Sequence, residues 1–81
     1  MRARVHITLK SGVLDPQGKA IHNALKSLGF DNVHDVRQGK YLELDLSESN
    51  VEQAQASVED MCTRLLANTV IEDYKIELED D

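Results

Sequence analysis

Three stretches of this chain alternate apolar and polar residues with a period of two, and two stretches between them repeat at helical spacing. Ala3, Val5, Ile7 and Leu9 alternate with Arg2, Arg4, His6, Thr8 and Lys10. That pattern is a strand with one face buried. Leu42, Leu44 and Leu46 alternate with Tyr41, Glu43 and Asp45, and Tyr74, Ile76 and Leu78 with Asp73, Lys75 and Glu77. Ile21, Ala24, Leu25 and Leu28 trace one helical face, and Val51, Ala54, Val58, Met61, Cys62 and Leu65 trace another. Asn32–Gln38 reads as a further strand, although Val33 and Val36 are three apart and break the period, which calls for a bulge or a late start of the strand.

The turn chemistry agrees with these bounds. Between the first strand and first helix runs Gly12-Val13-Leu14-Asp15-Pro16-Gln17-Gly18. Gly12 permits a turn, Asp15 suits an N-cap, and Pro16 falls at the first helical position, where its fixed φ helps and its missing N–H costs nothing. Gly18 lies in the first helical turn, where glycine costs about 1 kcal/mol against alanine. A close backbone approach by another chain or a ligand is the physical expectation. Gly29 stands where a left-handed C-terminal residue belongs. Gly39-Lys40 is a tight-turn candidate. Ser49 with Glu52, or Asn50 with Gln53, marks the start of the second helix, and Asn68 can close it.

The order is therefore β-α-β-β-α-β in a single domain, 1–81. Its usual solution is an α+β ferredoxin-like sandwich, an antiparallel four-stranded sheet with two helices on one face. The opposite face carries Arg4, His6, Thr8, Lys10, Glu43, Asp45, Asp73, Lys75 and Glu77, a mixture suited to cross-strand ion pairs and to either water or a partner of matching charge.

Composition narrows the function. The 81 residues carry a formal net charge of −6, which argues against nucleic acid and against an anionic membrane surface. No apolar run reaches the length of a signal peptide or membrane span. One cysteine allows no internal disulfide, and a reducing cytoplasmic setting fits. His6, His22 and His34 are scattered without ligand spacing, so solvated surface histidines are expected and no metal site. Cys62, with Met61 beside it, falls on the apolar helical stripe and reads as an inert core thiol, with Met61 as core filler. Paired carboxylates such as Glu43 and Asp45, or Asp80 and Asp81, lack a pocket and read as solvated surface. The strands lack the paired aromatics that stack RNA bases, and the first loop lacks a phosphate-cradling arginine.

What remains is polar punctuation in loops and at element ends. Asp15, Gln17, Gly18, Arg37, Lys40, Tyr41, Asn68 and Thr69 are the candidate partner-binding residues. Each also has a plain reading as cap or turn. Arg37 and Tyr41 lean towards binding, since arginine and tyrosine are favoured interface anchors.

Four segments in order and spacing also resemble the PurS family. They are Gly12–Gly18, Asp35-Val36-Arg37-Gln38-Gly39-Lys40-Tyr41, Met61-Cys62, and Leu65 to Tyr74. The likeness runs from about Val5 to Glu79; Ser47–Val58 carries no family signature. PurS is the small accessory subunit of phosphoribosylformylglycinamidine synthase in purine biosynthesis. The resemblance implies a non-catalytic subunit of an ATP-dependent ligase complex. It implies that the chain bridges a synthetase and a glutaminase subunit, and forms a homodimer or higher homo-oligomer. It implies no cofactor in this chain, with ATP and Mg on the synthetase subunit. A dimer contact involving the sheet is expected, through an edge strand or the helix-free face. The alternative is an ACT-like small-ligand-binding regulatory module, which shares this element order and binds near the first strand–helix loop.

Overall fold

The computed structural model describes residues 1–79. Asp80 and Asp81, at the acidic end of the chain, lie outside the described residues. The elements are β1 (Arg2–Leu9), α1 (Pro16–Ser27), β2 (Gly39–Asp45), α2 (Val51–Met61) and β3 (Glu72–Glu79), with one π-helical turn at Cys62–Leu66 continuing α2.

The sheet is three-stranded and antiparallel in the order β2-β1-β3. Val5 pairs with Leu42 on one side and Ile76 on the other, so the three apolar phases share one face. Ala3, Val5 and Ile7 are fully buried there against Val58 and Cys62, with Ala67 completing the core. α2 packs chiefly over β3. Leu42 and Leu44 on β2, and Leu46 just beyond it, stay half-buried. On the outer face, Arg4 pairs with Glu79 at 2.6 Å, Arg2 with Glu43 at 3.6 Å and His6 with Glu77 at 3.3 Å. These pairs are exposed and stabilise little individually.

The expected fourth strand is absent among the described residues. Asn32–Gln38 is irregular chain. The three-residue spacing of Val33 and Val36 was no bulge in a ladder. Val33 offers its carbonyl to His22 Nε2 at 2.9 Å, and Gln38 donates its N–H to Asp15. The segment's polar groups thus go to α1 and its cap, and β2 is left as a sheet edge.

The second departure is the position of α1. No α1 residue belongs to the core, and the helix makes no substantial contact with the sheet or α2. The second face-covering helix of a ferredoxin-like sandwich is therefore not on this chain's own sheet. The Cα radius of gyration is 16.0 Å, against about 12 Å for a compact chain of this length.

Local signals held more often. Asp15 caps α1, accepting the Gly18 N–H at 2.9 Å, with Pro16 at the first helical position. Gly12 and Gly29 have φ of 87° and 95°. Asn50, not Ser49, caps α2 and accepts from the Glu52 and Gln53 N–H groups. Met61 is 37% exposed and is not core filler; Leu65 is 82% exposed. The π turn rotates Leu65 off the apolar stripe while Cys62 stays on it. Among the described residues no helix is long and apolar enough to cross a membrane.

Candidate functional site

The inner sheet face changes character at one end. Continuing the apolar phases outwards, β2 reaches Lys40 and β3 reaches Glu72, opposite Ile7 and Leu9 of β1. Their side chains approach at 3.6 Å between Nζ and Oε2. The Glu72 side chain is only 12% exposed, and its other oxygen accepts the Asn68 N–H at 2.7 Å. A half-buried carboxylate is tolerated when it is paired and hydrogen-bonded, as this one is.

The base of α1 meets the same end. Asp15 holds two separate pieces of backbone, the Gly18 N–H on one oxygen and the Gln38 N–H on the other, at 2.9 and 3.0 Å. The Gln38 N–H, then the Gly18 N–H, then Arg37, hold the Asp15 carboxyl below its ordinary value. Arg37 donates to the Leu9 carbonyl. Gly18 is buried, and a Cβ there would collide with the Val36 carbonyl oxygen. The close approach is real, but it comes from this chain's own 36–38 segment and not from a ligand or another chain. Gly39 is a glycine for a related reason, since a Cβ would meet the Ile7 carbonyl oxygen; it opens β2 and makes no tight turn.

A further contributor is the turn before β3. Asn68 accepts the Ile71 and Glu72 N–H groups on its carbonyl and the Val70 N–H on its side chain. It does not close α2 in a left-handed conformation, since no residue but glycine has a positive φ among those described. The helix ends instead with the Ala67 N–H returning to the Cys62 carbonyl. Lys10 donates its N–H to Ile71 and its ammonium to Asp73, tying this turn to β1.

Asp15, Gln17, Gly18, Arg37, Lys40 and Asn68 therefore gather around one end of the sheet. Two depressions open there. One of about 230 Å³ is lined by Ile7, Leu9, Gln17, Gln38, Lys40 and Glu72. One of about 540 Å³ lies under the first loop, against Lys10, Lys19, His22 and Arg37. Thr69 is exposed in the adjoining turn. Tyr41 is not part of the gathering. It lies on the outer face, its ring 5.0 Å from that of His6 and its hydroxyl donating to Glu43 at 3.2 Å.

This arrangement is a rigid polar junction of caps and clamps. Among the described residues no three of His, Cys, Asp and Glu gather to hold a metal. The family model for PurS, described as phosphoribosylformylglycinamidine (FGAM) synthase, matches residues 2–80. The chain belongs to the PurS family. Its relatives include phosphoribosylformylglycinamidine synthase subunit PurS of Bacillus subtilis, 48% identical over 79 residues, covering 98% of this chain and 93% of that one. The fold agrees with PurS of Methanocaldococcus jannaschii at a TM-score of 0.89 and 46% identity, covering 99% and 96% of the two chains. It also agrees with a chain of PurLQS from Thermotoga maritima, at a TM-score of 0.86 and 30% identity, covering 94% and 93%. The likeness covers nearly the whole chain, α1 and the 32–38 segment included.

Sequence reasoning missed Glu72 and Gln38 as members of the junction. Glu72 did carry a signal. It is a carboxylate in phase with Tyr74, Ile76 and Leu78, on the face that should be apolar. Gln38 contributes only its backbone, which no side-chain pattern reports.

Proposed function

We propose that this chain is the PurS subunit of phosphoribosylformylglycinamidine synthase, acting as a non-catalytic assembly subunit in purine biosynthesis. The observation that carries the reading is the match over residues 2–80 together with the likeness to a chain of PurLQS. In the reaction, formylglycinamide ribonucleotide, ATP and glutamine-derived ammonia give the formylglycinamidine. ATP and Mg belong to the synthetase subunit, and ammonia to the glutaminase subunit. This chain bridges the two and self-associates, in the cytoplasm.

Gln17, Arg37, Lys40, Tyr41, Asn68 and Thr69 are the exposed members of the candidate set, and of these Gln17, Lys40, Tyr41 and Thr69 are the ones proposed to touch partners. Asp15, Gly18, Arg37 and Asn68 act through the junction, by holding the first loop, the 36–38 segment and the 68–72 turn in fixed relation. Rigid presentation lowers the entropy lost on binding. Mixing the chain with the two larger subunits of its own source and separating by size tests the reading. A complex containing all three supports it; separate elution under turnover conditions, with substrates present, overturns it.

A further inference from the structure

The depression under the first loop holds charge that the rest of the chain does not use. Of the nine lysine and arginine side chains, six pair with a carboxylate among the described residues, and Lys19, Lys26 and Arg37 stand outside these pairs. Two of those three, Lys19 and Arg37, line this one cavity of about 540 Å³. Arg37 gives one N–H to the Leu9 carbonyl, out of the five donors of a guanidinium. Asp35 lines the same cavity, and among the described residues its side chain makes no ion pair and no hydrogen bond, with Lys19 or with anything else. Opposite charges that line one cavity, and that the fold leaves unpaired, are both available to a ligand.

The fold fixes the spacing of these groups. Gly18 is pressed so close to the Val36 carbonyl that a Cβ would collide with it. Lys19 follows Gly18 in the chain, and Asp35 and Arg37 flank Val36. Asp15 holds both sides of that contact, through the Gly18 and Gln38 N–H groups, and is thereby occupied. His22, one turn beyond Lys19, also lines the cavity. Its Nε2 donates to the Val33 carbonyl, since a carbonyl only accepts, and the neutral ring leaves Nδ1 as an acceptor. Groups held in place in this way lose little entropy when a ligand binds.

Charge selects the ligand. Lys10, Lys19 and Arg37 are balanced by Asp15, Asp35 and Asp73, the carboxylate that pairs with Lys10. A phosphate dianion would meet no net positive charge there, at a helix start where Asp15 already supplies a carboxylate. A zwitterion meets both signs and leaves the balance unchanged. We infer that this cavity binds a free α-amino acid. Its carboxylate sits on Lys19 and the Arg37 fork, its ammonium on Asp35, and its side chain against Val13, Leu14 and Val36. The volume falls within the roughly 300–1,000 Å³ of small-molecule sites. The site stands apart from the assembly role and adds a small-molecule ligand to this chain.

Titration of the full chain, followed by the NMR shifts of its amides, tests the site. The probe is an equimolar mixture of the protein L-amino acids, then each of them alone. Saturable shifts confined to residues 10–22 and 33–38 are expected from at least one. Acetate, methylammonium and inorganic phosphate each carry one sign only, and should bind about tenfold more weakly or worse. Lys19→Gln and Asp35→Asn should each weaken amino-acid binding by about tenfold or more. Both should leave the melting curve unchanged, because neither side chain has a partner in the chain to lose. No saturable shift up to about 10 mM of each amino acid overturns the proposal. Shifts centred elsewhere overturn the placement. Phosphate or acetate binding as tightly as the amino acids, or amino-acid binding that survives Asp35→Asn, overturns the zwitterion assignment. Failure of the titration leaves the assembly role untouched, and failure of the three-subunit complex leaves the titration untouched.

Discussion

Gly18→Ala is the substitution whose outcome depends most on the junction being as described. By helix propensity alone it should stabilise, by about 1 kcal/mol, because α1 is exposed and alanine favours the helix. The structure opposes this. The new methyl meets the Val36 carbonyl oxygen, and on its other side the Asp15 carboxylate comes within 2.6 Å. Neither neighbour is the free end of a flexible side chain. Val36 is backbone, and Asp15 is held by two N–H donors. Overpacking of this kind costs about 1–3 kcal/mol, and a rigid backbone neighbour puts it near the top of that range. The balance is a loss of about 2 kcal/mol, or roughly 8–16 °C in melting temperature for a domain of this size. Gly12→Ala supplies the control. Its site is open, and its cost comes from the positive φ alone, about 1–2 kcal/mol. The assay is thermal unfolding at one fixed protein concentration, since association shifts apparent stability. A Gly18→Ala variant that melts at or above the parent temperature would refute the reasoning, for the 36–38 segment would then not be pressed against α1.

Cys62→Ser should destabilise by about 1–3 kcal/mol, since the side chain is fully buried among Val58, Ala67 and β1. The native thiol, pushed up by burial and further by Glu59, should resist a bulky thiol reagent until the chain unfolds; rapid labelling contradicts this. Asp15 is lowered in the fold, so its stabilisation is full above its ordinary value of 3.8 and is lost as pH falls through the folded value. In Asp15→Asn the acid limb of the stability–pH curve should flatten; a limb parallel to that of the parent chain rejects the assignment. Gln17→Ala should leave the melting curve within about 0.5 kcal/mol, whereas Arg37→Ala should cost about 1 kcal/mol by freeing the Leu9 carbonyl. Equal melting of the two variants would show that the Arg37 clamp is idle.

Strand alternation, caps and the two left-handed glycines were legible because each depends on a few adjacent residues. Val5, Leu42 and Ile76 announce their shared face by period alone, and they are indeed paired across the sheet. Asn32–Gln38 was misread because short sequences with two valines suit a strand, while its actual partners, Asp15 and His22, are chosen by tertiary position. The spacing of Ile21, Ala24, Leu25 and Leu28 marks α1 as a helix, but its apolar stripe stays largely exposed, and a stripe says only which face a helix would bury. It cannot say whether the covering surface belongs to the same chain. Six of the eight candidate residues converge because loops at one sheet end converge, which topology dictates. Tyr41 falls on the other face by the parity of its strand. The strand parity was visible in the sequence; the involvement of Gln38 through its backbone was not.

The central claim is that this chain couples glutamine hydrolysis to amidination without catalysing either. The most direct measurement is the glutamine-dependent rate of formylglycinamidine formation by the synthetase and glutaminase subunits of the same source, with this chain present and left out. With the chain present, glutamine should support the reaction; without it, glutamine-dependent formation should collapse. A full glutamine-dependent rate in its absence would contradict the account.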